Sequence, residues 1–427
     1  MSQSLLSLCM IVRDEIDCLE RCLDSVKEVV DEIIIVDTGS RDGTLELAKR
    51  HASRVAQITW RDDFSHARNV ALDMASGDWI LSLDADHYLR RESCPDLLEA
   101  LRVPDALACR VMIRDHHDGG YCETTPCTKL FRRLPGIRYR GRIHEQVTSA
   151  LQEFVRANPG WRSVTLDRVI VEHDGYMQKR SKGESKGARN LRLLTMALEE
   201  DPSDIYRRYK LAQLLGVETD EGYRHLSFAL EELLALSDCE IQELAFAYEL
   251  LGNGALRSAE RDEPAKSLRV SMIAESLFGK HPVLSYARAL SYYSLGNSDV
   301  ALTSAEEALA IAPGADGFVF NPGWLRQEIY FLISRIQQGR SEHAAAIEAL
   351  RSAVAESPDS RQLVHSQMRT ALAAGAPLVA LEYGARSLRS NGVDAQCLLV
   401  CAEAAEMYGD LASAAKWRSL AGGISHS

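Results

Sequence analysis

Residues 79–87 read Trp-Ile-Leu-Ser-Leu-Asp-Ala-Asp-His. An apolar run stops abruptly at two carboxylates, Asp84 and Asp86, with Ala85 between them. Five of the six residues from Trp79 to Asp84 suit a buried strand, and the run is short for a helix. Side chains alternate along a strand, so the pattern predicts Asp84 and Asp86 on one face at its carboxyl end. Like charges so close repel, and burying both unpaired is costly. A divalent cation would relieve this, and hard oxygen ligands suit magnesium or manganese. A solvated turn is the plainer alternative, since Asp-x-Asp is common in loops.

The chain before this run alternates strand and helix. Residues 5–12 form a continuous apolar strand, after which Ile16, Leu19, Cys22, Leu23 and Val26 recur at helical spacing. Residues 32–37 are a second buried strand running into Asp37-Thr-Gly-Ser-Arg-Asp-Gly-Thr44, a loop of turn formers. A helix through Ala48, a strand over 55–60 and a helix over 65–75 complete the series. Such repetition predicts an α/β domain with a mixed, mostly parallel sheet covered by helices on both faces. Such sheets bind ligands beyond the carboxyl ends of their strands. Asp37, Asp84 and Asp86 all fall at predicted carboxyl ends, which packing alone explains poorly.

From about residue 181 the character changes. Ser181-Lys-Gly-Glu-Ser-Lys-Gly187 reads as a polar linker, and Ala and Leu then dominate at helical spacing. Leu290-Ser-Tyr-Tyr-Ser-Leu-Gly296 precedes Ala301, Ala305, Ala308 and Pro313. Gly296 would end one helix, the small residues would permit close contact, and Pro313 would stop the next. Gly375 and Gly409 stand 34 residues apart, as do Ala380 and Ala414, with Pro358 closing the unit before them. That is the tetratricopeptide period, matched more weakly by helical pairs over 203–236 and 242–276. The expected domains are 1–180, α/β, and 181–427, an all-α repeat array. Such an array offers a concave surface to an extended peptide, could pair two subunits, or could simply cap its neighbour.

Charge and cysteine usage narrow the classes. A net charge of −12 argues against general nucleic-acid binding. The first apolar stretch has no basic start and meets Arg13-Asp14-Glu15 after about eight residues, so neither a signal peptide nor a membrane span is expected. Ten cysteines are scattered with no Cys-x-x-Cys pair. Cys18 and Cys22 suit core packing better than zinc, because no matching histidines lie near them. The expectation is a reduced, cytoplasmic protein.

Four motifs occur in order at close spacing: Cys9-Met-Ile-Val-Arg-Asp-Glu15, Ile35-Val-Asp-Thr-Gly-Ser-Arg-Asp-Gly-Thr44, Phe64-Ser-His-Ala-Arg-Asn69 and Leu83-Asp-Ala-Asp86. Together they resemble the nucleotide-sugar half of family 2 glycosyltransferases, which have the GT-A fold. Arg140-Gly-Arg-Ile-His-Glu145 and Val171-Glu-His-Asp-Gly-Tyr176 resemble the branch that carries tetratricopeptide repeats. That branch includes the sublancin-type peptide S-glycosyltransferases. The resemblance is close over residues 5–180 and looser beyond.

It implies a nucleotide-sugar donor, a divalent cation and a site built from these residues. Met10, Glu15, Asp37, Ser40, Arg68, Asp84, Ala85 and Asp86 would line the donor site. Asp37 would accept the ring N–H of uracil, or else cap its turn. Glu15 would lie near the nucleoside, or be a solvated first-turn glutamate. Arg68 suits forked contacts with a carboxylate or the diphosphate, and a surface salt bridge is the alternative. Asp84 would hold ribose or sugar, and Asp86 would ligate the metal. His87 stands where the branch often has an acid, leaving one negative charge fewer. His173, ending a predicted strand, is the second candidate ligand; His144 reads rather as structural.

The implied reaction inverts the sugar, with an acceptor attacking opposite the departing diphosphate. Metal and Arg68 would stabilise the diphosphate charge, and Glu145 would take the acceptor's proton unless it merely pairs with Arg140 or Arg142. The stretch 114–128 is expected as a hairpin and mobile loop over the donor, and Asp115-His-His-Asp-Gly-Gly120 reads as its turn. Tyr121 or Trp161 would stack on a sugar or fill core. A peptide or protein acceptor, modified on Cys, Ser or Thr, is the leading expectation. A saccharide or lipid-linked acceptor, or a scaffold without catalysis, are the rivals.

Overall fold

The computed structural model describes residues 5–116, 122–173, 185–311, 322–356, 361–390 and 394–424. Its N-terminal part runs β1 (Leu6–Val12), α1 (Leu19–Val26), β2 (Glu32–Asp37), α2 (Thr44–His51), β3 (Arg54–Gln57), α3 (Phe64–Met74) and β4 (Trp79–Ser82). There follow β5 (His87–Leu89), α4 (Cys94–Ala100), β6 (Ala106–His116), β7 (Cys122–Arg132), α5 (Thr148–Ala157) and β8 (Arg162–His173). The eight strands form one sheet in the order β3-β2-β1-β4-β7-β6-β8-β5. β3, β2, β1 and β4 are mutually parallel, as are β6 and β8; β7 runs antiparallel to β4 and β6, and β5 to β8. The sheet is therefore mixed and mostly parallel, as expected.

The central strands are unbroken apolar runs because both of their faces are covered. Leu6, Leu8 and Met10 of β1 join one core with Leu19, Cys22 and Leu23 of α1. Cys9, one residue out of phase, joins the other with Ala71 and Leu72 of α3 and Leu151 of α5. The period of two thus sorts one strand between two hydrophobic layers. Cys18 and Cys22 are core residues, 2% and 0% exposed.

Where the chain enters β4 it passes very close to β1. The Gly77 N–H donates to Ser7 Oγ at 2.9 Å and to Glu32 Oε1 at 3.1 Å. Burial would raise the Glu32 carboxyl, but hydrogen bonds from Ser7, Ser76 and Gly77 outweigh it and hold the group below its ordinary range. A Cβ on Gly77 would lie 2.5 Å from Ser7 Oγ and 2.9 Å from the Leu5 carbonyl oxygen. Gly77→Ala is expected to destabilise the fold by about 1–3 kcal/mol, as overpacking does. Urea unfolding should show a lower midpoint with an unchanged slope.

The chain divides into two compact units, Met1–Leu214 and Leu215–Ser427. The first also contains α6 (Lys186–Glu200) and nearly all of α7 (Ile205–Leu215). In the second, helices follow one another in hairpins, among them Ala247–Glu260 with Pro264–Phe278, Pro282–Ser294 with Ser298–Ala310, and Ala395–Tyr408 with Leu411–Ile424. Gly375 and Gly409 follow their helices at φ 69° and 93°, a left-handed turn that favours glycine. Ala380 and Ala414, 34 residues apart, are 0% and 1% exposed. Pro313, Pro358 and Ser181–Glu184 of the expected linker lie outside the described residues. No helix among the described residues is long and apolar enough to cross a membrane.

Candidate active site

Because β1, β2 and β4 are parallel, their carboxyl ends open on one rim. The loops there are tied together. Asp14, held at φ 55°, donates its N–H to Ser40 Oγ at 3.0 Å and accepts the Arg41 N–H at 2.7 Å. The Glu15 N–H donates to Thr44 Oγ1 at 2.7 Å, and Glu15 Oε2 lies 3.1 Å from Cys18 Sγ. Asp37 is fully buried; its carboxylate accepts the Gly39 and Ser40 N–H groups and the Gln57 side-chain amide at 3.0–3.2 Å. The turn-capping alternative for Asp37 is thus realised in the fold. Met10 and Ala85 are core residues, 0% and 5% exposed, so their side chains are packing groups.

The two central aspartates do not alternate along a strand. β4 ends at Ser82, and Asp84 to His87 form a turn in which the His87 N–H donates to the Asp84 carbonyl at 3.0 Å. The turn sends the carboxylates to different partners. Asp84 receives Arg68 Nη2 at 2.7 Å and Lys129 Nζ at 3.1 Å. Burial would raise its carboxyl, yet Lys129 and Arg68 hold it well below the usual range. Asp86 instead faces His173, whose Nε2 is 3.3 Å from Asp86 Oδ2.

Arg68 is fixed by α3, whose N-terminus is capped by the Asp63 side chain accepting from the His66 N–H. Its Nε donates to Glu145 at 2.5 Å, Nη1 to Ser82 Oγ at 3.3 Å, and its guanidinium stands 5.5 Å from the Tyr139 ring centroid. One cation therefore spans Asp84 and Glu145, and its donors face the protein rather than an open groove. Glu145 is not the partner of Arg140 or Arg142: Arg140 pairs with Glu153 at 2.6 Å, and Arg142 with Glu200. His144, at φ 50°, faces Tyr206 at 6.3 Å between ring centroids; burial, then Lys210 and Arg207, push its imidazole down to about 4. That is the structural reading of His144. Trp161 is half-buried: it packs on Phe154 against the edge of the core, with Arg132 5.3 Å from its ring centroid.

Asp86, His87 and His173 can bring ligand atoms within 4.8 Å of one another. β5 and β8 pair His87 directly with His173, and the rings meet edge-on at 4.9 Å. Asp115, on β6, binds His173 Nδ1 at 2.5 Å. A carboxylate on one imidazole nitrogen, with the other turned to a second carboxylate, is the usual support of a metal-ligating histidine. The donor set therefore fits a divalent cation through Asp86 and His173. His87 differs: its Nδ1 accepts the Asp84 N–H at 3.2 Å, which leaves the ring proton on Nε2. Burial, then Lys129, push this imidazole down to about 4, so it is neutral and a donor at that atom.

Three partners escaped the sequence. Lys129 and Asp115 have no motif around them, and the Asp115-His116 pair, expected in a turn, lies in β6. Tyr139 emerges beside Arg68. Residues 117–121, with Tyr121 and the tip of the expected loop, and Asp174 to Tyr176 lie outside the described residues.

The description "Glycosyl transferase family 2" matches residues 7–148. A TPR repeat-containing protein of Synechococcus elongatus is 35% identical over 313 residues, 72% of this chain and 75% of that one. The chain belongs to glycosyltransferase family 2. The SPbeta prophage-derived glycosyltransferase SunS of Bacillus subtilis is 27% identical over 201 residues, 46% of this chain and 45% of that protein. An uncharacterized glycosyltransferase of Rickettsia felis is 33% identical over 87 residues, 20% of this chain and 30% of its own. As a family 2 glycosyltransferase the protein is an enzyme that moves a sugar from a nucleotide-sugar donor to an acceptor. The family match ends three residues past Glu145, so it includes Arg68, Asp84, Asp86 and Glu145 but not His173.

Proposed function

We propose that this family 2 glycosyltransferase is inverting and metal-dependent. It moves a hexose or N-acetylhexosamine from a UDP donor to a Cys, Ser or Thr side chain of a peptide or protein. Residues 1–180 carry the chemistry, and the tetratricopeptide-like array of 181–427 holds the acceptor or pairs two subunits. The observation that supports this best is the pairing of two arrangements on one turn: Asp86–His173–Asp115 on one side, Arg68–Asp84–Glu145 on the other. The names of the two longer relatives, a glycosyltransferase and a repeat protein, agree with it.

In this reading Asp37, Ser40 and Glu15 form the nucleoside end of the site. Asp84 positions the sugar, with Arg68 and Lys129 keeping its carboxylate ionised. A divalent cation held by Asp86 and His173 would neutralise diphosphate charge and so improve the leaving group. His87, neutral and bearing a proton on Nε2, adds a hydrogen-bond donor where an acid would repel phosphate. Glu145, oriented by Arg68, takes the acceptor's proton as it attacks the anomeric carbon from the face opposite the diphosphate. A thiol acceptor would need less help than a hydroxyl, since it ionises more readily. The scattered cysteines, with no Cys-x-x-Cys pair, support a reducing, cytoplasmic setting for this chemistry.

The test is a screen of nucleotide sugars with manganese, followed by mass mapping of candidate peptides. Donor cleavage should be at least ~10-fold faster with manganese than with chelator, and the peptide should gain one sugar mass. Equal rates with chelator would overturn the metal reading, and transfer only to saccharides or lipids would overturn the acceptor reading.

A further inference from the structure

On the opposite face of the β6–β8 pair from Asp115 and His173 lies a second constellation that the transfer reaction does not use. Successive residues of a strand face opposite ways. With Asp115 and His173 on one side, His116 and Glu172 fall on the other, and β7 begins there with Cys122 opposite His116. Cys122 Sγ lies 3.3 Å from His116 Nδ1, and His116 Nε2 lies 2.7 Å from Glu172 Oε2. Glu172 is 3% exposed and is also bound by Arg90, with Arg114 at 3.7 Å. Cys122 is exposed.

The order of these groups suits a proton relay. With Glu172 accepting from His116 Nε2, a neutral His116 turns its Nδ1 lone pair to the thiol. A nucleophile, a base and a carboxylate that orients the base are the parts of an activated thiol. Three cationic or protonatable groups against one carboxylate also favour an anionic reaction partner. Burial cannot account for this thiol, whereas Cys9 and Cys22 are inert core cysteines whose thiols burial pushes up.

We propose that Cys122 is a reactive thiol that forms mixed disulfides with small anionic disulfides. The Cys122 proton passes to His116 Nδ1, and the thiolate attacks one sulfur of the disulfide. The Sγ–S bond forms, the original S–S bond breaks, and the departing thiolate takes the proton from His116. The protein ends as the mixed disulfide and one small thiol is released.

The test uses the full chain carrying Cys239→Ser, which removes the other exposed cysteine. Release of thiol from the anionic disulfide dithionitrobenzoate is followed near neutral pH, with N-acetylcysteine as reference. Cys122 should react at least ~10-fold faster than the reference, because His116 stands within reach of its proton. Adding Cys122→Ser should abolish the fast phase, and adding His116→Asn should slow it about 10-fold. The slow reactions of the remaining cysteines, unchanged in both variants, report that the fold is intact. A Cys122 rate no greater than the reference, or one that His116→Asn leaves unaltered, would overturn the proposal.

Discussion

Arg68→Met is expected to reduce sugar transfer by at least ~100-fold and to destabilise the first unit by about 3–5 kcal/mol, the usual cost of removing one partner from a buried ion pair. The reason is geometric. Arg68 bridges Asp84 at 2.7 Å and Glu145 at 2.5 Å, with 12% of its side chain exposed. Without it Asp84 keeps Lys129, but Glu145, equally buried, loses the cation that orients it. Thermal or urea unfolding measures the stability loss, and single-turnover transfer measures the rate. Lys at this position carries the charge but not the fork that reaches two carboxylates, so Arg68→Lys should recover part of the stability and little of the rate. The double variant Arg68→Met/Glu145→Gln separates the two effects. It removes the orphaned charge and should regain most of the lost stability, while transfer stays low if Glu145 is the base. A double variant that transfers as well as the parent would remove Glu145 and Arg68 from the reaction.

What the sequence revealed followed from local physics. Parallel strands buried on both faces must be apolar throughout, and Leu6–Val12 and Glu32–Asp37 announce themselves in that way. The acids at their ends were legible for the same reason, as charges where an apolar run stops. The partners of those acids come from far along the chain. Asp86 meets His173 across 87 residues, a partner already named as the second candidate ligand from its strand end and the family resemblance, whereas Asp84 meets Lys129 across 45, and nothing in the sequence pointed to Lys129. Residue 129 lies in Cys-Glu-Thr-Thr-Pro-Cys-Thr-Lys, which has neither apolar alternation nor a turn signal. Asp115 and His116 were drawn toward a turn by the Asp-Gly-Gly that follows, although β6 pairs with β7 through His116 and with β8 through Asp115. The Asp84–His87 turn shows a related failure. Apolar residues up to Leu83 extend the strand signal, but the ladder stops at Ser82, and one turn gives the two aspartates unlike environments. Periodicity reports which face a residue would take if the strand continued; it carries no information about where pairing ends.

Asp86→Asn is the sharpest test of the cation reading, because it removes one charge and almost no volume. Manganese-stimulated donor cleavage should fall by about 10²–10⁴-fold, the equivalent of several kcal/mol of charge stabilisation. His173→Ala should fall into the same range, whereas His144→Ala should leave manganese affinity unchanged, since His144 faces Tyr206 and the α7 cations. Asp115→Asn tests the support behind His173. It should weaken manganese binding by roughly 10–100-fold while leaving both proposed ligands, Asp86 and His173, in place. Calorimetric titration of manganese into each variant gives the affinities independently of turnover, so loss of metal and loss of catalysis can be told apart. Rate and affinity should fall together for Asp86 and His173. An Asp86→Asn enzyme with parental manganese affinity and parental cleavage would mean that the turn between β4 and β5 serves only to place Asp84 on Arg68, and that the diphosphate charge is met by protein donors, Lys129 beside Asp84 being one candidate.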